Sequence, residues 1–127
     1  MNLVSIRVIT EDVKKLGAFY EKVTGITPTF YTEDFAELKT VSTTLAIGST
    51  KTLQLFGGNE VAAAAQNHTA IIEFKVNDVD AEYGRIADYL AGLLVQKPTT
   101  MPWGSRSLLF RDPDGNLVNF FTPVTHR

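Results

Sequence analysis

The sequence contains no cysteine and only two histidines among its 127 residues. The lack of cysteine excludes disulfides, thiol nucleophiles and Cys-based zinc sites, and the scarcity of histidine argues against a His-rich metal site. Long apolar runs are also missing, since no stretch approaches the roughly 20 residues that a membrane-spanning helix needs. These absences exclude several classes of metalloprotein and a membrane-embedded protein.

No charge of one sign dominates the chain. Twelve basic and fourteen acidic side chains give a net charge of -2, whereas nucleic-acid and membrane-surface binders usually need a concentrated basic face. The N-terminal residues alternate apolar and polar side chains and lack the apolar core of a secretion signal. We therefore expect a cytoplasmic protein that binds neither nucleic acid nor a membrane, and a frayed C-terminal tail from Val124.

The first half of the chain has the pattern of a strand, a helix and three extended segments. Alternation of β-branched residues predicts a strand at Leu3–Thr10. Thr10 is placed to cap the helix that follows, whose apolar stripe of period near 3.6 ends at Gly25. The three extended segments are predicted at 27–33, at 36–47 with an interruption, and at 51–56.

The second half repeats this pattern after a linker, residues 57–67, that is expected to contain a short helical turn. A strand is predicted at 69–76, and Asp78 is placed to cap the next helix. Three more extended segments are predicted at 94–98, 106–111 and 116–122. The DPDG sequence at Asp112–Gly115 predicts a hairpin, because proline fixes φ, aspartate accepts backbone hydrogen bonds and glycine adopts left-handed angles.

Two segment pairs show that the halves are related. SIRVITEDV at Ser5–Val13 aligns with IIEFKVNDV at Ile71–Val79, and TLQLF at Thr52–Phe56 aligns with LVNFF at Leu117–Phe121. Neither half covers its own sheet, so the two are expected to pack together with a shared cleft.

The repeat predicts an α+β protein with a single domain over residues 1–127. Two βαβββ units form it, repeat one at 2–56 and repeat two at 68–123, joined by the linker at 57–67.

Longer segments carry a resemblance to a known superfamily. They are RVITEDVKKLGAFYEKVTGI in repeat one, and FKVNDVDA followed by MPWGSRSLLFRDPDGNLVNFF in repeat two. With the repeated strand-Asp-helix order, they resemble the vicinal oxygen chelate superfamily, which includes glyoxalase I, bleomycin-resistance proteins and extradiol dioxygenases. The resemblance implies a curled mixed sheet around a ligand cavity, and a homodimer.

The resemblance also implies where a metal would sit. Metal-dependent members hold a divalent ion with side chains on the first and last strands of each repeat, and these positions fall on Ser5, Gln54, Ile71 and Asn119. An alkyl group cannot bind a metal, and hydroxyls and neutral amides are poor ligands for it. We therefore expect no metal and no other cofactor. His68 is expected on the surface or in a loop.

Strand alternation adds further residues to the cavity face. Arg7 shares a face with Ser5, Glu73 with Ile71, and Phe56 and Phe121 with the two last-strand positions. Two hypotheses stand for the charged pair: Arg7 and Glu73 neutralise each other, or Arg7 binds an anion of a ligand and Glu73 a hydroxyl or an amine. Glu73 is also a weak candidate for a general base.

Trp103, the sole tryptophan, lies in a loop before a predicted strand. It either lines the cavity mouth, where an aromatic wall suits a planar or amphipathic molecule, or closes one end of the core.

Together these points predict metal-independent binding or sequestration of a small organic molecule in the cavity between the repeats. The predicted ligand-binding residues are Ser5, Arg7, Gln54, Phe56, Glu73, Trp103, Asn119 and Phe121. The alternative is a lyase or dioxygenase-type enzyme of the same superfamily, either metal-dependent or using Glu73 and Arg7 without a metal. A third possibility is an interaction module whose cavity is filled by side chains such as Ile71, Leu117 and Phe121.

Overall fold

The computed structural model describes residues 1–123, with the backbone alone for Asn59. The tail from Val124, predicted to fray, lies outside the described residues. The chain divides into two compact units, the first being Met1–Gln66 and the second beginning at Asn67. Each unit contains one helix and one four-stranded sheet.

Both units have the element order βαβββ. The first contains β1 (Ser5–Thr10), α1 (Val13–Thr24), β2 (Thr29–Thr32), β3 (Phe35–Lys39) and β4 (Thr44–Ser49), followed by short 3-10 helices at Thr50–Phe56 and Gly58–Glu60. The second contains β5 (Ile71–Lys75), α2 (Val79–Ile86), β6 (Leu94–Thr100), β7 (Ser105–Arg111) and β8 (Leu117–Pro123).

The two sheets have the same topology. Their strand orders are β1-β4-β3-β2 and β5-β8-β7-β6, so the first strand of each unit pairs with the fourth. That pairing is parallel, and the other pairings are antiparallel. The α+β class and the two βαβββ repeats are confirmed, and neither sheet closes on itself.

Local capping explains both ends of α1. The Asp12 side chain accepts a hydrogen bond from the Lys15 amide at 3.0 Å, and Gly25 ends the helix at a φ of 74°. Thr10 was predicted to be this cap, but its hydroxyl instead accepts a hydrogen bond from the Asp12 amide. The apolar stripe of the helix is buried and consists of Val13, Leu16, Phe19, Tyr20 and Val23.

Asp78 caps α2 as predicted, by accepting a hydrogen bond from the Ala81 amide at 3.2 Å. A second interaction ties the start of this helix to the sheet: the hydroxyl of Thr122, on β8, accepts from the Val79 amide and donates to the Val76 carbonyl. The helix therefore starts at a fixed point beside the strand that occupies the middle of its sheet.

Each helix covers one face of its own sheet. In the first unit α1 contacts β3 and β4, and in the second α2 contacts β6, β7 and β8. The opposite side is called the helix-free face below. In the first sheet it carries Ser5, Arg7, Phe35, Glu37, Lys39, Thr44, Ala46 and Gly48, and in the second Ile71, Glu73, Lys75, Ser107, Leu109, Arg111, Leu117, Asn119 and Phe121.

The hairpin between β7 and β8 has the predicted turn chemistry. One oxygen of Asp112 accepts hydrogen bonds from the amides of Asp114 and Asn116, and the other accepts from the Asn116 side chain at 2.8 Å. Gly115 adopts a φ of 86°. The turn thus fixes the start of β8, on which two predicted site residues lie.

The extended segment predicted at 51–56 is wrong, because Thr50–Phe56 is a 3-10 helix. Its caps explain the difference: the Ser49 hydroxyl accepts from the Lys51 amide, the Thr52 hydroxyl donates to the Ser49 carbonyl, and Gly57 ends the helix at a φ of 109°. These local bonds outweigh the alternation of leucines that resembles a strand. The last strand of the first repeat is therefore β4.

The segment predicted as one interrupted stretch at 36–47 is two strands, β3 and β4. A turn separates them, in which the Thr40 hydroxyl donates to the Thr43 carbonyl at 2.6 Å. This turn uses threonine hydroxyls instead of glycine or proline, which explains why the interruption was hard to place.

We expect Asp80→Asn to lower the melting temperature of the protein at neutral pH. Two nitrogens of Arg106 on β7 bind the two carboxylate oxygens of Asp80 on α2, at 2.8 and 3.0 Å. The hydrogen bonds from Arg106 lower the pKa of Asp80 below its ordinary value of 3.8. The carboxylate therefore contributes stability above about pH 3.8, and that contribution is lost as the pH falls through the lowered pKa.

Circular dichroism melts at several pH values would check this expectation. The difference between Asp80→Asn and wild type should shrink progressively as the pH falls below about 3.8. Asp88→Asn, at an exposed position, is the control and should match wild type throughout. An equal deficit of Asp80→Asn at about pH 2.5 and pH 7 would contradict the assignment.

Candidate functional site

Arg7 is the centre of an aromatic cluster on the first sheet. Its guanidinium carbon lies 5.3 Å from the ring centroid of Phe35 and 5.4 Å from that of Phe56. These distances are within the range of cation–π attraction. Phe35 is the first residue of β3 and Phe56 the last of the 3-10 helix Thr50–Phe56, so two separate elements supply the rings beside one charged group.

Gly48 makes room for the stem of Arg7. A Cβ at this position of β4 would lie 3.0 Å from the Arg7 Cδ and 2.9 Å from the Thr52 hydroxyl oxygen. Thr52 is itself fixed by its 2.7 Å bond to the Ser49 carbonyl. A side chain at position 48 would therefore push the Arg7 stem away from its present path.

Glu73 and Asn119 form the polar centre of the second sheet. They are register partners on β5 and β8, and the Asn119 amide donates to a carboxylate oxygen of Glu73 at 3.0 Å. Asn119 is only 8% exposed, and its carbonyl oxygen is buried with no hydrogen-bond partner among residues 1–123. A buried acceptor without a donor is uncommon in native proteins and costs roughly 1–3 kcal/mol.

A second polar group on the first sheet joins Tyr31, Glu37 and Lys39. The Tyr31 hydroxyl donates to the Glu37 carboxylate at 2.9 Å, and the Lys39 ammonium lies 3.7 Å from the same oxygen. The interaction with the Tyr31 hydroxyl is the largest cause that raises the pKa of Lys39 above its ordinary value, and the nearby carboxylate of Glu37 raises it further. Glu37 is thus already paired within its own unit.

The structure brings together two pairs of the predicted site residues, Arg7 with Phe56 and Glu73 with Asn119. Ser5 is exposed on β1, Gln54 is exposed on the 3-10 helix, and Phe121 is half-buried on β8. No side-chain hydrogen bond or ring contact within the described part of the chain joins these three to another predicted site residue. Pairing of Arg7 with Glu73 stays a prediction.

Trp103 is 76% exposed in the turn between β6 and β7. The hypothesis that its indole closes the core of its own unit is therefore wrong, and its role in binding a ligand stays a prediction. His68 lies exposed in the loop before β5, as predicted.

The sequence did not reveal that Phe35 contacts Arg7, or that a polar group lies on the same sheet. This group consists of Tyr31, Glu37 and Lys39. Phe35, Glu37 and Lys39 belong to one strand, β3, where they alternate with the buried Ala36 and Leu38. That alternation was present in the sequence. It was not used because β3 and β4 were treated as one segment.

A groove of about 400 Å³ lies beside α1 and β2 in the first unit. Lys14, Phe30, Thr32 and Glu33 line it, and none of the predicted site residues does.

The comparison with known families decides the classification. The sequence model of the Glyoxalase/Bleomycin resistance protein/Dioxygenase superfamily matches residues 2–120. The chain belongs to this superfamily. The chain is also similar to YraH, an uncharacterized protein of Bacillus subtilis (strain 168), with 28% identity over 127 residues that cover 95% of this chain and 98% of YraH.

Solved structures of superfamily members show the same fold. A glyoxalase/bleomycin resistance protein/dioxygenase family enzyme from Burkholderia phytofirmans PsJN has a TM-score of 0.84 at 15% identity, covering 98% of this chain and 100% of that one. Lactoylglutathione lyase from Agrobacterium tumefaciens has a TM-score of 0.71 at 20% identity, covering 95% and 92%. At these identities the likeness concerns the fold alone.

The strand register changes one of the four positions derived for a superfamily metal site. In the second sheet, the register partner of Glu73 on the last strand is Asn119. Arg7 is the equivalent of Glu73 in the first sheet, and its register partner on the last strand, β4, is Ala46 and not Gln54. Gln54 was chosen because the last strand was placed at 51–56. The corrected set is Ser5, Ala46, Ile71 and Asn119.

This set does not suit a divalent ion, because it contains no imidazole, thiolate or carboxylate. Within residues 1–123, no three His, Cys, Asp or Glu side chains form a group that could hold a metal ion. No helix of the described chain has the length and apolar composition to cross a bilayer.

We expect Gly48→Ala to lower the free energy of unfolding by about 1 kcal/mol, because the added methyl crowds Arg7 and Thr52. Gly84→Ala is a matched control, since Gly84 lies within α2 and a Cβ there meets nothing within 4 Å. That variant should raise the free energy of unfolding by about 0.5–1 kcal/mol. Urea unfolding measures both, and a Gly48→Ala protein as stable as wild type would show that position 48 tolerates a side chain.

Proposed function

We propose that the protein binds or sequesters a small organic molecule without a metal, using the helix-free face of its second sheet. The observation that carries this proposal is the buried carbonyl oxygen of Asn119, which lacks a donor, beside the carboxylate of Glu73. A buried acceptor of this kind requires an N–H or O–H group as its partner. A hydroxyl or an amine of a ligand supplies it.

The surroundings of this pair support an organic ligand. Leu109 and Leu117 occupy the same face on neighbouring strands, and Ile71 precedes Glu73 on β5 and is 52% exposed. Ligand sites usually combine an apolar lining with a few convergent polar groups. Because the apolar residues border the Glu73 and Asn119 oxygens, the ligand would carry one donor group on a largely apolar body.

Lyase or dioxygenase chemistry has less support from the residues present. A metal-dependent reaction lacks suitable donors at Ser5, Ala46 and Ile71. A metal-free reaction would need Glu73 as a base, and one of its oxygens already accepts a hydrogen bond from Asn119. The homodimer and the cytoplasmic location stay predictions.

A thermal-shift screen of metabolites and antibiotics tests the proposal, with Trp103 fluorescence as a second readout. Binding to the native state raises the melting temperature, by the equivalent of about 2.7 kcal/mol when the ligand is at 100 times its Kd. The compounds that bind should carry a hydroxyl or an amine, and Asn119→Leu should weaken them at least about tenfold.

The Asn119→Leu variant itself should be no less stable than wild type, because leucine has the same branching at Cγ and removes the unpaired acceptor. Asn77→Leu, at an exposed position, is the control and should bind as wild type does. A screen in which no compound raises the melting temperature would contradict the proposal, as would compounds that bind Asn119→Leu unchanged.

Elemental analysis tests metal independence. Protein purified without added chelator should contain well under one divalent ion per chain, and EDTA should leave its melting temperature unchanged. The four positions of the metal site hold a hydroxyl, a methyl, an alkyl group and an amide, which are unsuitable ligands. These residues are Ser5, Ala46, Ile71 and Asn119. Mass spectrometry of the metals is the measurement. A stoichiometric ion that EDTA removes with loss of stability would exclude metal independence.

A further inference from the structure

We infer that Arg7 is an oxyanion-binding group, and that the first sheet takes an organic acid, a carboxylate or a phosphonate carried on an aromatic or other flat apolar body. The inference rests on the proposed small-molecule binding and adds a ligand class to it. It depends on a different residue, on a different sheet, from the Asn119 observation.

The guanidinium of Arg7 has no acidic partner in the described chain. No hydrogen bond or ion pair joins it to another of residues 1–123, whereas Lys39 pairs with Glu37 and Arg106 with Asp80. The nearest acid on the same face by register is Glu37, separated from Arg7 by Ala46, and it is paired with Tyr31 and Lys39. An arginine is charged at every physiological pH, so Arg7 is an exposed cation with no acidic partner among the described side chains.

The two aromatic rings hold the cation without using its donors. Phe35 and Phe56 attract the guanidinium through their ring faces, and this contact does not use the N–H groups of Arg7 as hydrogen-bond donors. Gly48 keeps the path of the side chain clear. A group already held in place loses less rotamer freedom when a ligand binds, and two parallel N–H donors match the two oxygens of an oxyanion.

The same rings select the rest of the ligand. Phe56 is 60% exposed and Phe35 is half-buried, so each has surface beside the charge that a flat apolar group can cover. An inorganic ion would use the guanidinium and leave this surface in water. An aromatic acid contacts both the guanidinium and the ring surface. We therefore expect an organic acid to bind here in preference to free phosphate.

The test is a titration of the purified full-length protein with benzoate, followed by NMR at constant ionic strength. The Arg7 side-chain N–H signal is assigned by its loss in Arg7→Gln. Benzoate and phenylphosphonate should shift this signal. Benzamide, which has the same ring without the charge, and inorganic phosphate, which has the charge without the ring, should each bind at least about tenfold more weakly.

Three variants sharpen the result. Arg7→Gln should weaken benzoate at least about tenfold, and Arg7→Lys should recover only part of the loss, because an ammonium lacks the planar fork. Phe56→Leu should weaken benzoate while leaving the charge in place. Leu55→Ala changes a neighbouring side chain that is 96% exposed and should bind benzoate as wild type does.

The outcomes separate this inference from the proposed function. Equal binding of benzoate and benzamide, or benzoate binding that survives Arg7→Gln, overturns the anion site, and so does the absence of any Arg7 shift. If the thermal-shift screen meanwhile finds ligands that depend on Asn119, the proposed function stands and only the inference about Arg7 fails. Melting curves of each variant verify folding. The benzoate affinity of the variants is read from backbone amide shifts, since Arg7→Gln has no Arg7 signal, and an affinity lost in both Arg7→Gln and Phe56→Leu supports the inference even if one of them is destabilised.

Discussion

The parallel pairing of each unit's first strand with its fourth is the constraint on which the site depends. This pairing sets Arg7 beside Ala46 and Glu73 beside Asn119. A shift of β1 or β5 by one residue would turn Arg7 or Glu73 to the helix-covered side, because neighbouring residues on a strand face opposite ways. The buried stripes of the two helices oppose such a shift, since it would expose the apolar residues that now pack beneath them.

Register also explains why two sheets of one topology carry opposite chemistry. Arg7 and Glu73 occupy equivalent places on β1 and β5, but the neighbour is a methyl group in one case and an amide in the other. The alanine leaves the arginine to be held by rings from β3 and the 3-10 helix, whereas the asparagine binds the glutamate directly. Among the described residues, the same backbone thus presents a cation with no acidic partner on one sheet and a buried amide oxygen with no donor on the other.

The sequence predicted some locally determined features correctly and others incorrectly. Asp78 and the DPDG turn each act through hydrogen bonds within a few residues, and both were predicted correctly. The strand predicted at 51–56 was wrong because hydrophobic alternation there competes with the caps at Ser49 and Gly57. The contact between Arg7 and Phe35 joins strands distant in sequence and depends on a turn without glycine or proline, so residue types alone did not reveal it. The unpaired oxygen of Asn119 becomes visible only when burial and partners are known together.

The residue that ends the 3-10 helix has a role beyond the backbone. Gly57 and Gly58 adopt φ angles of 109° and 87°, which other residues rarely adopt, and a Cβ at Gly57 would lie 3.1 Å from Val61. Phe56 precedes this pair directly, so its direction depends on two positions that have no side chain. A substitution at Gly57 would therefore change the direction of the ring beside Arg7, and at the proposed anion site it would alter ligand preference from a residue that touches no ligand.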